Sequence, residues 1–95
     1  MVNIYQGIDF YFDAEGCSSS YIAKLRNEDL SFVSQAETIV LSNNDIQFRW
    51  SGTVTSEFPI DNLTLEIYNQ NKTLIYVIQN FACVRESTAK EVKNG

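Results

Sequence analysis

The stretch Ile8-Asp9-Phe10-Tyr11-Phe12-Asp13-Ala14-Glu15 alternates without a break. Ile8, Phe10, Phe12 and Ala14 share one parity, and Asp9, Tyr11, Asp13 and Glu15 share the other. Upstream, Ile4 extends the apolar set, Tyr5 and Gly7 extend the second, and only Gln6 interrupts. Successive side chains of an extended chain point to opposite faces, so this periodicity predicts a half-buried strand over 4–15.

The same period recurs downstream. Ile46, Phe48, Trp50 and Val54 oppose Gln47, Arg49, Ser51, Thr53 and Thr55, with Gly52 marking a bulge or a close backbone approach. Leu63, Leu65 and Ile67 oppose Thr64, Glu66 and Tyr68. Asn69-Gln70-Asn71-Lys72 then supplies turn chemistry, since Asn tolerates left-handed geometry and hydrogen-bonds its own backbone. Leu74-Ile75-Tyr76-Val77-Ile78 is apolar on both parities, which predicts a central strand covered on each side. Residues 63–79 therefore read as a hairpin, and 45–56 placed before it makes a three-strand antiparallel meander.

Residues 18–42 admit two readings. Ser18-Ser19-Ser20 can cap a helix with Ile22, Leu25, Leu30 and Val33 on one face. Alternatively, Tyr21-Ala23-Leu25 and Leu30-Phe32 form a hairpin about a turn at Arg26–Asp29. Strand-like neighbours, Thr38-Ile39-Val40-Leu41 among them, favour the hairpin. Ser42-Asn43-Asn44-Asp45 is a further turn, and the polar tail 85–95 reads as a short helix or a frayed end. The expected fold is mainly β: a single domain over 1–95, an antiparallel meander of about six to eight strands forming a half-barrel or small sandwich, with at most one short helix.

Composition narrows function more by exclusion than by assignment. The 95 residues include no histidine, which removes the usual general base, the Ser-His and Cys-His nucleophile pairs and Cys/His zinc patterns. No enzyme activity and no cofactor are expected. Cys17 and Cys83 read as ordinary thiols, and whether they meet in space is not fixed by sequence. A net charge of −5 argues against direct nucleic-acid binding, which depends on neutralising phosphates with Lys and Arg. Nine of the twelve acids lie within residues 1–61, against three bases. The opening Met1-Val2-Asn3-Ile4-Tyr5 lacks a basic signal-type region, and no run is apolar enough to span a bilayer, so a cytoplasmic chain without membrane contact is expected.

The polar face of the first strand is the candidate site. Tyr5, Asp9, Tyr11, Asp13 and Glu15 place three carboxylates and two phenols on one strip. Carboxylates can meet Lys and Arg of a protein partner, and tyrosines supply rigid amphipathic area. An ordinary solvated strand has the same look. The three carboxylates match no calcium-loop spacing, so metal binding is not expected. Trp50 reads as core, with a small-ligand cavity lined by Phe48, Trp50 and Tyr76 as the minor alternative.

With these features in place, the chain resembles bacterial toxin-immunity proteins of the contact-dependent growth inhibition type. The resemblance is one of overall character: small, acidic, strand-rich, without a signal segment, and bearing an acidic-aromatic strand face. It carries no motif. It implies a cytoplasmic inhibitor that covers the active site of a cognate basic toxin, such as a nuclease domain. Asp9, Asp13 and Glu15 would pair with the toxin's cationic groups while Tyr5 and Tyr11 pack at the centre. A phage or bacterial interaction module is the alternative.

Overall fold

A computed structural model describes residues 1–16, 18–42 and 45–87. Among these, the chain runs β1 (Val2–Tyr5), β2 (Phe10–Glu15), β3 (Ile22–Arg26), β4 (Val33–Gln35), β5 (Glu37–Ser42), β6 (Asp45–Trp50), α1 (Gly52–Thr55), β7 (Asn62–Tyr68) and β8 (Leu74–Arg85). The expected fold class holds: a mainly β molecule with one short helix. The strands form a curled five-stranded sheet A, ordered β1-β8-β7-β3-β4, and a three-stranded sheet B, ordered β2-β6-β5. All pairings are antiparallel except β1 with β8, which is parallel.

The core lies between the two sheets. Sheet A contributes Ile4, Ala23, Leu25, Leu63, Leu65, Ala82 and Val84, and sheet B contributes Ile46, Phe48 and Trp50, all nearly inaccessible. Phe10 and Phe12 pack beside Trp50, and Phe81 of β8 meets both rings at 6.2 and 5.5 Å. Trp50 is core, as its parity implies, and its indole N–H donates to the Ser34 carbonyl (3.2 Å). Burying that ring with its one donor satisfied adds apolar stabilisation without an orphaned polar group.

The first strand departs from expectation. Residues 4–15 are not one extended segment but two strands in different sheets, joined by a corner at Gln6–Asp9. Gln6, the one break in the alternation, is the buried pivot. Its amide Nε2 donates to the Phe58 carbonyl (2.6 Å), and its backbone N–H donates to Arg85 (3.0 Å). Gly7 adopts φ 84°, a conformation other residues reach only at a cost. Ile8, at the bend, is exposed instead of inward-facing.

Against this corner sits α1. Strand β6 stops at Trp50, and Gly52–Thr55 forms a single helical turn capped by Ser51. The short helix is therefore here, and 18–33 is the hairpin, with β3 and β4 joined through Asn27–Phe32. The Asn27 side chain accepts from Phe32 N (2.9 Å) and donates to Ser31 (2.7 Å), closing that loop. Gly52 is a close backbone approach: a Cβ there would lie 2.5 Å from the Gly7 carbonyl oxygen. The buried Thr55 hydroxyl accepts from Gly7 N (3.1 Å) and donates to Ile8 O (2.9 Å). Both contacts lock α1 to the corner and so deliver β1 to the edge of sheet A.

Two further expectations change. Strand β6 does not extend the 63–79 hairpin, because it belongs to the other sheet. Leu74–Ile78 is not a central strand covered on both faces; all five residues are exposed. The hairpin itself is present as β7–β8. Arg85 ends β8 instead of opening a tail. Cys83 is a half-buried free thiol, while Cys17, Asn43–Asn44 and the tail beyond Ser87 lie outside the described residues. No helix among the described residues is long and apolar enough to cross a membrane.

Candidate functional site

The outer face of sheet B is built from the outward parity of three strands. Strand β2 supplies Tyr11, Asp13 and Glu15; their cross-strand partners on β6 are Arg49, Gln47 and Asp45; and β5 sets Glu37 opposite Arg49. Side chains on paired positions share a face, so four carboxylates are spread along it, Glu37 opposite the one arginine and Glu15 and Asp45 at the far end. Tyr11 is 58% exposed, and Asp13, Glu15 and Glu37 are also exposed.

The arginine is already engaged. Arg49 Nη2 pairs with Asp9 Oδ2, and the other oxygen of Asp9 accepts from the Gly52 backbone N–H (2.6 Å). The Arg49 hydrogen bond, followed by the Gly52 one, holds the Asp9 carboxyl below its ordinary value. Asp9 thus ties the corner to β6. On the remaining face, Gln47 donates to Asp13 (3.1 Å) and Ser42 donates to Asp45 (3.1 Å). These are neutral donors, so the negative charge of Asp13, Glu15, Asp45 and Glu37 is not cancelled by them. Glu15 stands directly opposite Asp45 in the β2–β6 register. Like charges facing each other across a pair of strands destabilise the sheet.

Sheet A's outer face is the internal contrast. There Arg26 meets Glu66 (3.0 Å), the Tyr68 hydroxyl donates to the same carboxylate (2.9 Å), and Lys24 lies 5.2 Å over the Tyr68 ring. The Glu66 hydrogen bond raises the Tyr68 pKa. Charges on that face are matched; on sheet B, Asp13, Glu15 and Asp45 have no cation among their cross-strand partners.

Of the five residues singled out from sequence, the structure brings Tyr11, Asp13 and Glu15 together. Asp9 lies next to them but is committed to Arg49 and Gly52. Tyr5 ends β1 in sheet A, opposite Arg85, and is not part of that face. Asp45 and Glu37 join the cluster without having been singled out. The outward parity of Asp45 with Gln47 and Arg49 was a usable signal; the register of β6 against β2 was not.

Other chemistries find less support. No group of three or more potential metal ligands occurs among the described residues. A cleft of about 290 Å³ opens beside β8, lined by Arg26, Glu28, Asp61, Asn62, Thr64, Gln79 and Asn80. Its lining is polar, whereas small-molecule sites are mostly apolar. Phe48 and Trp50 are sealed in the core and Tyr76 is 60% exposed, so these three do not enclose a ligand cavity. Comparison with protein-family models, curated proteins and solved structures finds no match to this chain.

Proposed function

We propose that this protein is a non-catalytic inhibitor that docks a basic protein through the outer face of sheet B. A nuclease-type toxin occluded at its active site, in the cytoplasm, is the narrowest form of that reading. The observation that carries it is the Glu15–Asp45 pairing within a face of four carboxylates. A sheet bearing that face gains stability when cations from a partner fill it. Arg and Lys of the partner would meet Asp13, Glu15, Asp45 and Glu37, with Tyr11 as the aromatic contact at the margin. Charge attraction of this kind raises the rate of encounter and weakens with salt.

The test is capture of partners from a lysate of the source cells on the tagged chain, at low and high salt, beside the variant Asp13→Lys/Glu15→Lys/Asp45→Lys. The expected result is one stoichiometric basic protein, bound by the wild type and lost by the variant, whose circular dichroism matches the wild type. A partner held equally by both would remove the acidic face from the mechanism. Asp9 is left out of the variant because its role in the corner would confound folding with binding.

A further inference from the structure

Among the described residues, one edge of β8 is only partly paired. On one side it pairs with β7 along its length; on the other, β1 covers only Ala82–Arg85. Among the described residues, no strand pairs with Leu74–Phe81 on that second side. The boundary is marked by a bulge. Leu63 pairs with Ala82 but Leu65 with Ile78, so Thr64 faces Gln79, Asn80 and Phe81, and Asn80 takes φ 52°.

Ahead of the bulge, Leu74, Ile75, Tyr76, Val77 and Ile78 are 38–60% exposed. Edge strands are ordinarily blunted by charge, proline or bulges; residues 73–84 contain no charge and no proline, while β8 shifts register against β7 both at Gln79–Phe81 and at Ile75. These side chains alternate between the two faces of the strand, so the exposed apolar surface, on the order of 500 Å² in all, flanks the open edge on both sides. Met1 (70% exposed) and Val2 (43%) flank the window where β1 begins and add to it.

We propose that this edge is occupied by a second copy of the chain, the two β8 strands pairing antiparallel about a two-fold axis near Tyr76. Such an interface is isologous, with each residue meeting the same patch on the other copy. Leu74 then lies opposite Ile78, the uncharged edge pairs its backbone with itself, and apolar side chains of the two copies come side by side on each face. Charge favours this occupant too. The antiparallel pairing brings the β7–β8 turn, with Lys72 at its tip, toward the Asn80 end of the other copy's β8. There it meets the polar cleft that Gln79 and Asn80 line together with Glu28 and Asp61. Arg26, the cleft's cation, is held by Glu66, which leaves the two carboxylates for Lys72. Symmetry makes that contact twice. The acidic outer face of sheet B takes no part and stays open, so this inference stands apart from the proposed inhibitor role.

Sedimentation velocity of the full chain from about 5 to about 500 µM tests it, a span suited to micromolar self-association. The expected result is a reversible monomer–dimer equilibrium with dimer predominating at the upper end. Val77→Lys should raise the dissociation constant at least about tenfold, because the two-fold sets two added cations close together across the new strand pair. Lys72→Glu should raise it several-fold, an effect shrinking in high salt. The Asp13→Lys/Glu15→Lys/Asp45→Lys variant should dimerise like the wild type, which separates this edge from the acidic face. A wild type that stays monomeric throughout would overturn the proposal. So would an unchanged dissociation constant in folded Val77→Lys. If that variant fails to fold, an unchanged constant in Lys72→Glu would overturn it.

Discussion

The two halves of β8 have nearly the same chemistry and opposite fates. Leu74–Ile78 and Phe81–Val84 are both apolar, β-prone runs in one strand, paired to the same neighbour. In the second half, Ala82 and Val84 are buried and Phe81 packs on Phe10 and Phe12; in the first, every residue is exposed. Hydrophobicity alone does not decide burial. The difference is what the rest of the chain brings alongside: β1 on the open edge and the aromatic face of sheet B above. The corner at Gln6–Asp9 sets β1 in sheet A and β2 in sheet B, and β1 pairs no residue before Ala82.

That contrast can be broken from the side of the cover. Trp50→Ala removes the largest ring of the sheet-B face and should cost about 3–5 kcal/mol in denaturant unfolding, because the cavity lies where both sheets meet. Gly52→Ala should cost about 2–3 kcal/mol, since the new methyl runs into the Gly7 backbone, which has no flexible end to move aside. A wild-type stability in this variant would show that the corner is looser than the contacts of Thr55 and Gly52 imply.

The contrast is sharpest within β8 itself. Val84→Ala should cost about 1.5–2 kcal/mol, the loss of two buried methyl equivalents, while Val77→Ala should lie within about 0.5 kcal/mol of wild type at monomeric concentration. Equal costs would mean that the first half is covered in the monomer as well. Asp9 gives the smallest effect, read from pH. Its folded pKa lies below the ordinary 3.8, so its contribution is present above that value and lost as pH falls through the lowered one. Urea unfolding of Asp9→Asn should show a weaker loss of stability on acidification below about pH 4 than the wild type.

Much of the fold was legible. The alternation at 46–50 and 63–67 marks strands with one face in a core, and both are found as such. The turn residues at 69–72 place the β7–β8 hairpin. The sharp corner was hidden because Gln6 reads as one polar slip in a regular strand, whereas its amide is a buried crosslink to Phe58. Gly7 carried the signal, but a glycine in an alternating run fits a strand nearly as well as a turn. Leu74–Ile78 misled because apolar character on both parities describes burial on both faces only if neighbours exist. Here both faces of that run stay exposed, which its own pattern does not encode. For the candidate site, parity placed Tyr11, Asp13 and Glu15 correctly together. Pairing across strands, which added Asp45 and Glu37 and separated Tyr5, is not a property of any single strand's pattern.

Strand β8 is divided at Asn80: the half beyond it buries Ala82 and Val84 in the core, and Leu74–Ile78 is the half we propose pairs with a second copy. Amide hydrogen exchange, followed residue by residue by NMR at low and high protein concentration, tests it most directly. Phe81–Arg85 should be protected at both concentrations. Within Leu74–Ile78, the amides facing away from β7 should exchange quickly in dilute solution and become protected as concentration rises. Strong protection of those amides in the dilute monomer, at the level of Phe81–Arg85, would contradict the division.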